Sequence, residues 1–280
     1  MRVARALVEG APRLILTDGV TAVVAPEERD DPLELLGAES ADVAEWSSVD
    51  LDTVEFLAPI ARPGKIIAVG LNYVDHTLET GFTAPTAPLT FAKYPSSLTG
   101  HGSDILVPDA IATQVDYEVE LAVVVGRRCG GAEPATIDDI AAYTVSNDVS
   151  ARDVQFSDGQ WTRAKSFDGF TPLGPWLVPA AEVADPHALR LWTTVNGEVL
   201  QDDSTASLVF DLPALLAYIG RGTTLEPGDI ILTGTPAGAG GFRTPPRYLQ
   251  HGDVVEVGVD GIGRLRNRIL YRSLAEQETA

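Results

Sequence analysis

"VDYEVELAVVVG", residues 115–126, is a run of β-type residues with carboxylates in its first half. Valine, leucine and tyrosine crowd it as in a strand buried by its neighbours. Side chains alternate faces along a strand, so Glu118 and Glu120 point the same way, and Asp116 shares their face. Their Cα atoms should lie roughly 6.5–7 Å apart at about 3.3 Å per residue. Tyr117, Val119 and Leu121 take the opposite face, and the acid face continues into Ala122 and Val124. An exposed sheet face would account for the acids but not for the apolar continuation. The alternative is the rim of a covered site, where unpaired buried carboxylates are costly unless they are protonated or bridged by a cation.

A second acid tips the balance between these readings. "YTVSNDVSARDVQF", 143–156, is a strand that ends at Asp148 and passes into a polar turn. Glu118, Glu120 and Asp148 are hard oxygen ligands, and with no cysteine or histidine pair beside them they favour Mg²⁺ or Mn²⁺, with Ca²⁺ also able to bind, over zinc. Three protein ligands leave room on an octahedral ion for water or a chelating substrate.

Three further stretches carry chemistry-bearing residues. In "VGLNYVDHTLETG", 69–81, residues 72–80 form a short helical turn that places His76 and Glu79 three apart on one face, bracketed by Gly70 and Gly81. Such a pair is either a chance surface contact or an oriented general base in a lid. In "QWTRAKSFDGFTPLGPWLVP", 160–179, Lys165 stands among Trp161, Phe167 and Phe170, either as an ammonium for a substrate carboxylate or enolate or as a snorkelling surface group. "ILTGTPAGAGG", 231–241, runs from a strand into a glycine-rich loop without the Gly-Lys-Ser/Thr ending of a phosphate loop. Its backbone N–H groups and Thr235 would suit a carboxylate instead.

Around these motifs the chain is strand-rich with few helices, an α+β pattern without βαβ alternation. Residues 1–24 alternate β-type runs with Gly and Asp-Gly turns, and "VNGEVL" carries the Asn-Gly hairpin signal. Helical patterns fall in "PLELLGA", in "TIDDIAAY" after Thr136, and in "DLPALLAYIGRG" after Asp211. Pro59, Pro63 and Gly64 punctuate the chain and divide a small N-terminal β-rich unit with an acidic connector, 1–60, from a main domain, 61–280.

Composition narrows the partners. Forty acidic against twenty basic residues give a formal charge of −20, which makes nucleic acid and anionic membranes poor partners. The stretch from Glu27 to Glu55 holds one basic residue, Arg29, and reads as a solvated face. Cys129 is the sole cysteine, so no intramolecular disulfide forms, and it reads as a structural thiol. Neither a secretory signal nor a membrane span is evident, and a cytoplasmic protein is expected.

Taken in order, "VGLNYVDH", "DYEVELAVVVG", "SNDVSARDVQ", "AKSFDGFTPLGPWLV", "VNGEVLQ" and "GDIILTGTPAGAG" resemble the fumarylacetoacetate hydrolase family over about residues 63–268. The resemblance implies a mixed β-sandwich roll behind a small N-terminal domain, usually in a homodimer. By it, Glu118, Glu120 and Asp148 match the metal ligands, His76 and Glu79 the lid dyad, and Lys165 the active-site lysine. Gln155, Gly234 and Thr235 match substrate contacts, and Arg152 a supporting residue. "FRTPPRYLQHGDVVEV", 242–257, is similar to members acting on acylpyruvates. The implied activity is metal-dependent hydrolysis of the C–C bond of a 2,4-dioxo acid, with a 2-oxo acid as substrate and Mg²⁺ or Mn²⁺ as cofactor. The alternatives are oxaloacetate decarboxylation, hydroxymuconate-type isomerisation and, more remotely, a dicarboxylate binder without turnover.

Overall fold

A computed structural model describes residues 1–39, 42–83 and 85–273. The main elements in chain order are β1 (Arg2–Val8), β2 (Ala11–Thr17), β3 (Ala22–Val24), β4 (Ile66–Gly70), α1 (Val74–Thr80), β5 (Leu89–Lys93), β6 (Asp104–Pro108), β7 (Val119–Val125) and β8 (Ile140–Asn147). They continue with α2 (Arg152–Asp158), α3 (Trp161–Ala164), β9 (Thr171–Pro179), β10 (Arg190–Val195), β11 (Glu198–Ser204), α4 (Leu212–Gly220), β12 (Ile230–Leu232), β13 (Val254–Val259) and β14 (Gly263–Arg272).

Two sheets form the body. The larger runs β3-β2-β1-β9-β8-β7-β12-β4-β5, and the smaller β11-β10-β13-β14-β6. Most pairs are antiparallel, but β12 lies parallel to β4, and β14 parallel to β6. β7 sits inside the larger sheet between β8 and β12, which explains a run buried at every position. Its alternation divides two cores: Val119, Leu121 and Val123 face the smaller sheet with Leu191, Val257 and Leu265. Ala122 and Val124 face the other way, against Ile66, Leu173 and Leu232 and under Leu35, Val43 and Ile60. The strand-rich sandwich expected from the sequence is therefore present. β1 pairs with β9, so the N-terminal strands extend the larger sheet.

Local signals decide several elements. Asn196 and Gly197 both take positive φ (52° and 85°) at the β10–β11 turn, the conformation that a two-residue hairpin needs. Asp211 caps α4 by accepting from the amide of Ala214. Two expected helices are shorter than their patterns suggested. "PLELLGA" gives one 3₁₀ turn, Pro32–Leu35, and "TIDDIAAY" gives the turn Ile137–Asp139 before entering β8. The pairing of β8 with both β7 and β9 overrides the helical pattern there.

Because Leu121 is fully buried between the sheets, Leu121→Ala should lower unfolding free energy by about 2–5 kcal/mol in urea titrations. A loss below 1 kcal/mol, roughly that of a surface change, would contradict this division of the strand's faces.

Candidate metal centre and lid

The strand expected over 115–126 breaks at Tyr117 and Glu118, which lie outside the ladder between Val115–Asp116 and β7. The break separates Asp116 from the two glutamates with which it was expected to share a face. Its carboxylate instead accepts from the amides of Gly240 (2.6 Å) and Gly241 (2.9 Å) and from Arg152 Nε (2.8 Å). Glu118 and Glu120 stay together, and Asp148, the residue after β8, reaches them: one carboxylate oxygen from each lies within 4.8 Å of the others. All three are buried.

Cations surround two of the three acids. Lys165, at the end of α3, donates to Glu118 Oε2 (2.6 Å), Asp148 Oδ2 (2.8 Å) and Ser150 Oγ (2.7 Å). Arg152, at the start of α2, spans Asp116 and Glu118 and donates to Gln155 Oε1 at 2.8 Å. Lys93, the last residue of β5, is fully buried and bonds Asp148 and the carbonyl of Phe170. Sequence reading missed Lys93, because "LTFAKY" reads as a strand with an ordinary terminal lysine. Its partner lies 55 residues away.

Glu120 has no cation bonded to it; its polar contact is the amide of Gly234 at 2.6 Å. Over this buried cluster the four carboxyl groups of Asp116, Glu118, Glu120 and Asp148 stand among three cations, Arg152, Lys165 and Lys93. The titration directions follow. Burial, then Asp148 and Glu118, drive the Glu120 carboxyl well above the usual range. Burial also opposes ionisation of Glu118, but Arg152, Lys165 and His76 overcome it and hold that carboxyl low. Burial lowers Lys93, only partly offset by Asp148, whereas for Lys165 the pull of Asp148 and Glu118 outweighs burial and raises it. A divalent ion fits this donor set, being hard, buried and short of positive charge at Glu120.

The short helical turn expected over 72–80 forms as α1. In α1, ended by Gly81 in the left-handed region, His76 Nδ1 lies 3.3 Å from Glu79 Oε2. Both Glu79 oxygens accept from the amide of Gly238 at 3.1 Å, so the glycine-rich loop holds this acid. Phe242 of the same loop meets the His76 ring edge-on at 5.4 Å and lies 4.9 Å from the Arg152 guanidinium. His76, the acid triad, Arg152, Gln155, Lys165 and Thr235 line one cavity of about 20 Å³. Gly234, expected to meet substrate, spends its amide on Glu120 and is absent from this lining. Thr235 Oγ1 accepts from Gln201 Nε2 at 2.8 Å, a support that sequence reading did not single out.

Comparison with known proteins gives the family and the fold. The family model described as "Fumarylacetoacetate (FAA) hydrolase C-terminal" matches residues 65–270. The chain belongs to the fumarylacetoacetate hydrolase family. It is 43% identical over 236 residues to a mitochondrial oxaloacetate tautomerase of Rattus norvegicus, covering 83% of this chain and 75% of that one. A fumarylacetoacetate hydrolase structure from Exiguobacterium antarcticum superposes with a TM-score of 0.87 at 36% identity, over 97% of this chain and all of the other. A 5-carboxymethyl-2-hydroxymuconate delta-isomerase structure from Mycobacterium smegmatis gives 0.79 at 38% identity, over 98% and 100%. The named relatives are enzymes, and among the described residues no helix is long and apolar enough to cross a membrane.

Two outcomes follow from the charge imbalance. Glu120→Gln should abolish Mn²⁺ binding in calorimetry yet raise the melting temperature of the metal-free protein above pH 7, since it removes the acid that burial strains most. A lower melting temperature would show that Glu120 is compensated. In the wild type, metal binding should expel the proton held by Glu120, so affinity should rise with pH by up to about tenfold per unit below its raised pKa. Calorimetry in buffers of different ionisation enthalpy would count that proton, and a count of zero would contradict the assignment.

Proposed function

We propose that the protein interconverts keto and enol forms of a 2-oxo acid, as a tautomerase or isomerase, with Mg²⁺ or Mn²⁺ held by Glu118, Glu120 and Asp148. One observation carries the reading: His76, held by Glu79 behind it, and a buried ammonium line the same small cavity as the acid triad. The bound ion would polarise the 2-oxo group and make the neighbouring C–H more acidic. His76 then serves as the group that takes the proton from carbon as the C–H bond breaks and delivers it to the 2-oxo oxygen as the enol O–H forms, the reverse order giving the keto form, with Nδ1 engaged by Glu79 and Nε2 left to exchange. Lys165 balances negative charge on the enol oxygen, a stabilisation needed only as that charge develops. Gln155 and Thr235 orient the acid head. Arg152 keeps Glu118 ionised and in place.

A cavity of about 20 Å³ holds little more than one water, so substrate enters by displacing α1. The names of the relatives, oxaloacetate tautomerase and hydroxymuconate isomerase, favour proton transfer over cleavage. The dyad itself favours a second reading, since the same histidine would activate water for C–C hydrolysis of an acylpyruvate. Both readings are carried as a cytoplasmic homodimer, on the family resemblance and the composition.

With Mg²⁺ or Mn²⁺ present, loss of the enol absorbance of a 2-oxo acid, phenylpyruvate beside oxaloacetate, without carbon dioxide release scores tautomerisation, and pyruvate released from an acylpyruvate scores hydrolysis. His76→Ala should slow the enol reaction at least ~10²-fold while metal binding stays intact. A near-wild-type rate would remove the dyad from the chemistry.

A further inference from the structure

The cavity is chemically lopsided. One side is the acid triad with its paired cations. The remaining wall is built from Val69, Leu71, Phe82, Phe91, Trp161 and Phe242. Of the charged residues that line the cavity, both permanent cations are already committed. Arg152 is bound by Asp116, Glu118 and Gln155, and Lys165 by Glu118, Asp148 and Ser150. Arg243, next to Phe242, gives its guanidinium to the carbonyl of Leu200 at 3.2 Å and lies outside the lining. The other polar residues of the lining, His76, Thr80, Gln155 and Thr235, carry no permanent charge.

The apolar wall has a fixed corner. A Cβ at Gly70 would fall 2.4 Å from Trp161 Cζ3, so the indole packs on bare backbone at the end of β4. Phe91 meets that indole edge-on, with ring centroids 5.3 Å apart at 70°. The Lys165 ammonium sits 5.3 Å from the Phe91 centroid, which places the corner directly beside the acid-side machinery. Phe82, 48% exposed, stands where the wall meets solvent. A ligand whose acid head is held on the charged side runs its distal group along this corner. A second carboxylate there would lose its hydration and gain no counter-charge, whereas an apolar group would gain by burial.

We propose that the cavity selects 2-oxo acids whose distal group is uncharged and apolar, with Trp161 and Phe91 as the residues that determine that choice. The inference rests on the 2-oxo acid reading above. It separates this chain from the substrate in the rat relative's name, since oxaloacetate carries a second carboxylate.

Two oxamates with the same head test it: N-benzyloxamate and oxalylglycine, which carries a carboxymethyl group instead. Calorimetric titration of the full chain with Mg²⁺ should show the benzyl compound binding at least ~10-fold tighter, the difference of a single pocket-sized apolar contact. Trp161→Ala should narrow the ratio, and Trp161→Arg should reverse it. Should the indole variants fail to fold, Phe91→Leu should narrow the ratio in the same sense. Equal or tighter binding of oxalylglycine to the wild type, or a ratio untouched by these variants, overturns the selectivity and leaves the 2-oxo acid reading standing. Binding of neither compound while Mg²⁺ binds normally removes that reading and the inference together.

Discussion

The buried excess of carboxylate over cation is the constraint on which the rest of the site depends. Four acids and three bases share a space nearly closed to solvent, and the geometry leaves Glu120 as the acid without a cation bonded to it. The imbalance is concentrated where a strand, a strand end and a loop amide converge. That concentration makes the triad a receptor for positive charge rather than a satisfied salt-bridge network. Arg152 and Lys93 show the contrast, since each holds an acid that would otherwise add to the deficit. A buried ion pair gives little net stability because desolvation cancels most of the attraction. The cluster is therefore better understood as a means of holding the triad together before an ion arrives.

The fold supplies that means through position within the larger sheet. β7 is flanked on both sides and Glu120 itself pairs with Ser146 of β8, so its backbone cannot turn away to water without breaking that ladder. Glu118 sits just before the ladder begins, and its amide is held by Asn147 Oδ1 at 2.9 Å. The amide of Asp148 in turn donates to the Glu118 carbonyl at 2.9 Å. The two strand ends thus lock each other, and the acids inherit that register.

How far the sequence revealed this depends on the kind of signal. The triad was legible because charged residues interrupt apolar runs, a contradiction that demands a reason within a few residues. The lid dyad was legible from its helical spacing. Lys93 carried no such contradiction: a lysine closing a strand is ordinary, and only the crossing of β5 near Asp148 makes it unusual. Asp116 looked like a third member of the glutamate face because alternation assumes an unbroken strand, whereas the backbone leaves the ladder at Tyr117. β14 went unremarked although Arg264, Arg266 and Arg268 alternate with Leu265, Asn267 and Ile269. Its period of two was present, but the arginines masked its buried half. Pairing of β1 with β9 is a long-range choice that no local pattern encodes.

α1 connects this electrostatic frame to the proposed proton transfer. Glu79 touches His76 on one side and the Gly238 amide on the other, so the acid that orients the imidazole also fastens α1 to the glycine-rich loop. In the proposed reaction, lifting α1 as a body would break the Glu79 contact with Gly238 and the His76 contact with Phe242, while His76 and Glu79, both on α1, would move together. Such a movement would admit water to the acids and weaken the interactions there. Phe242 extends that coupling inward, because the ring that meets His76 also covers Arg152, whose guanidinium holds Glu118. The proposed proton transfer and the electrostatics of the triad thus draw on one connected set of contacts.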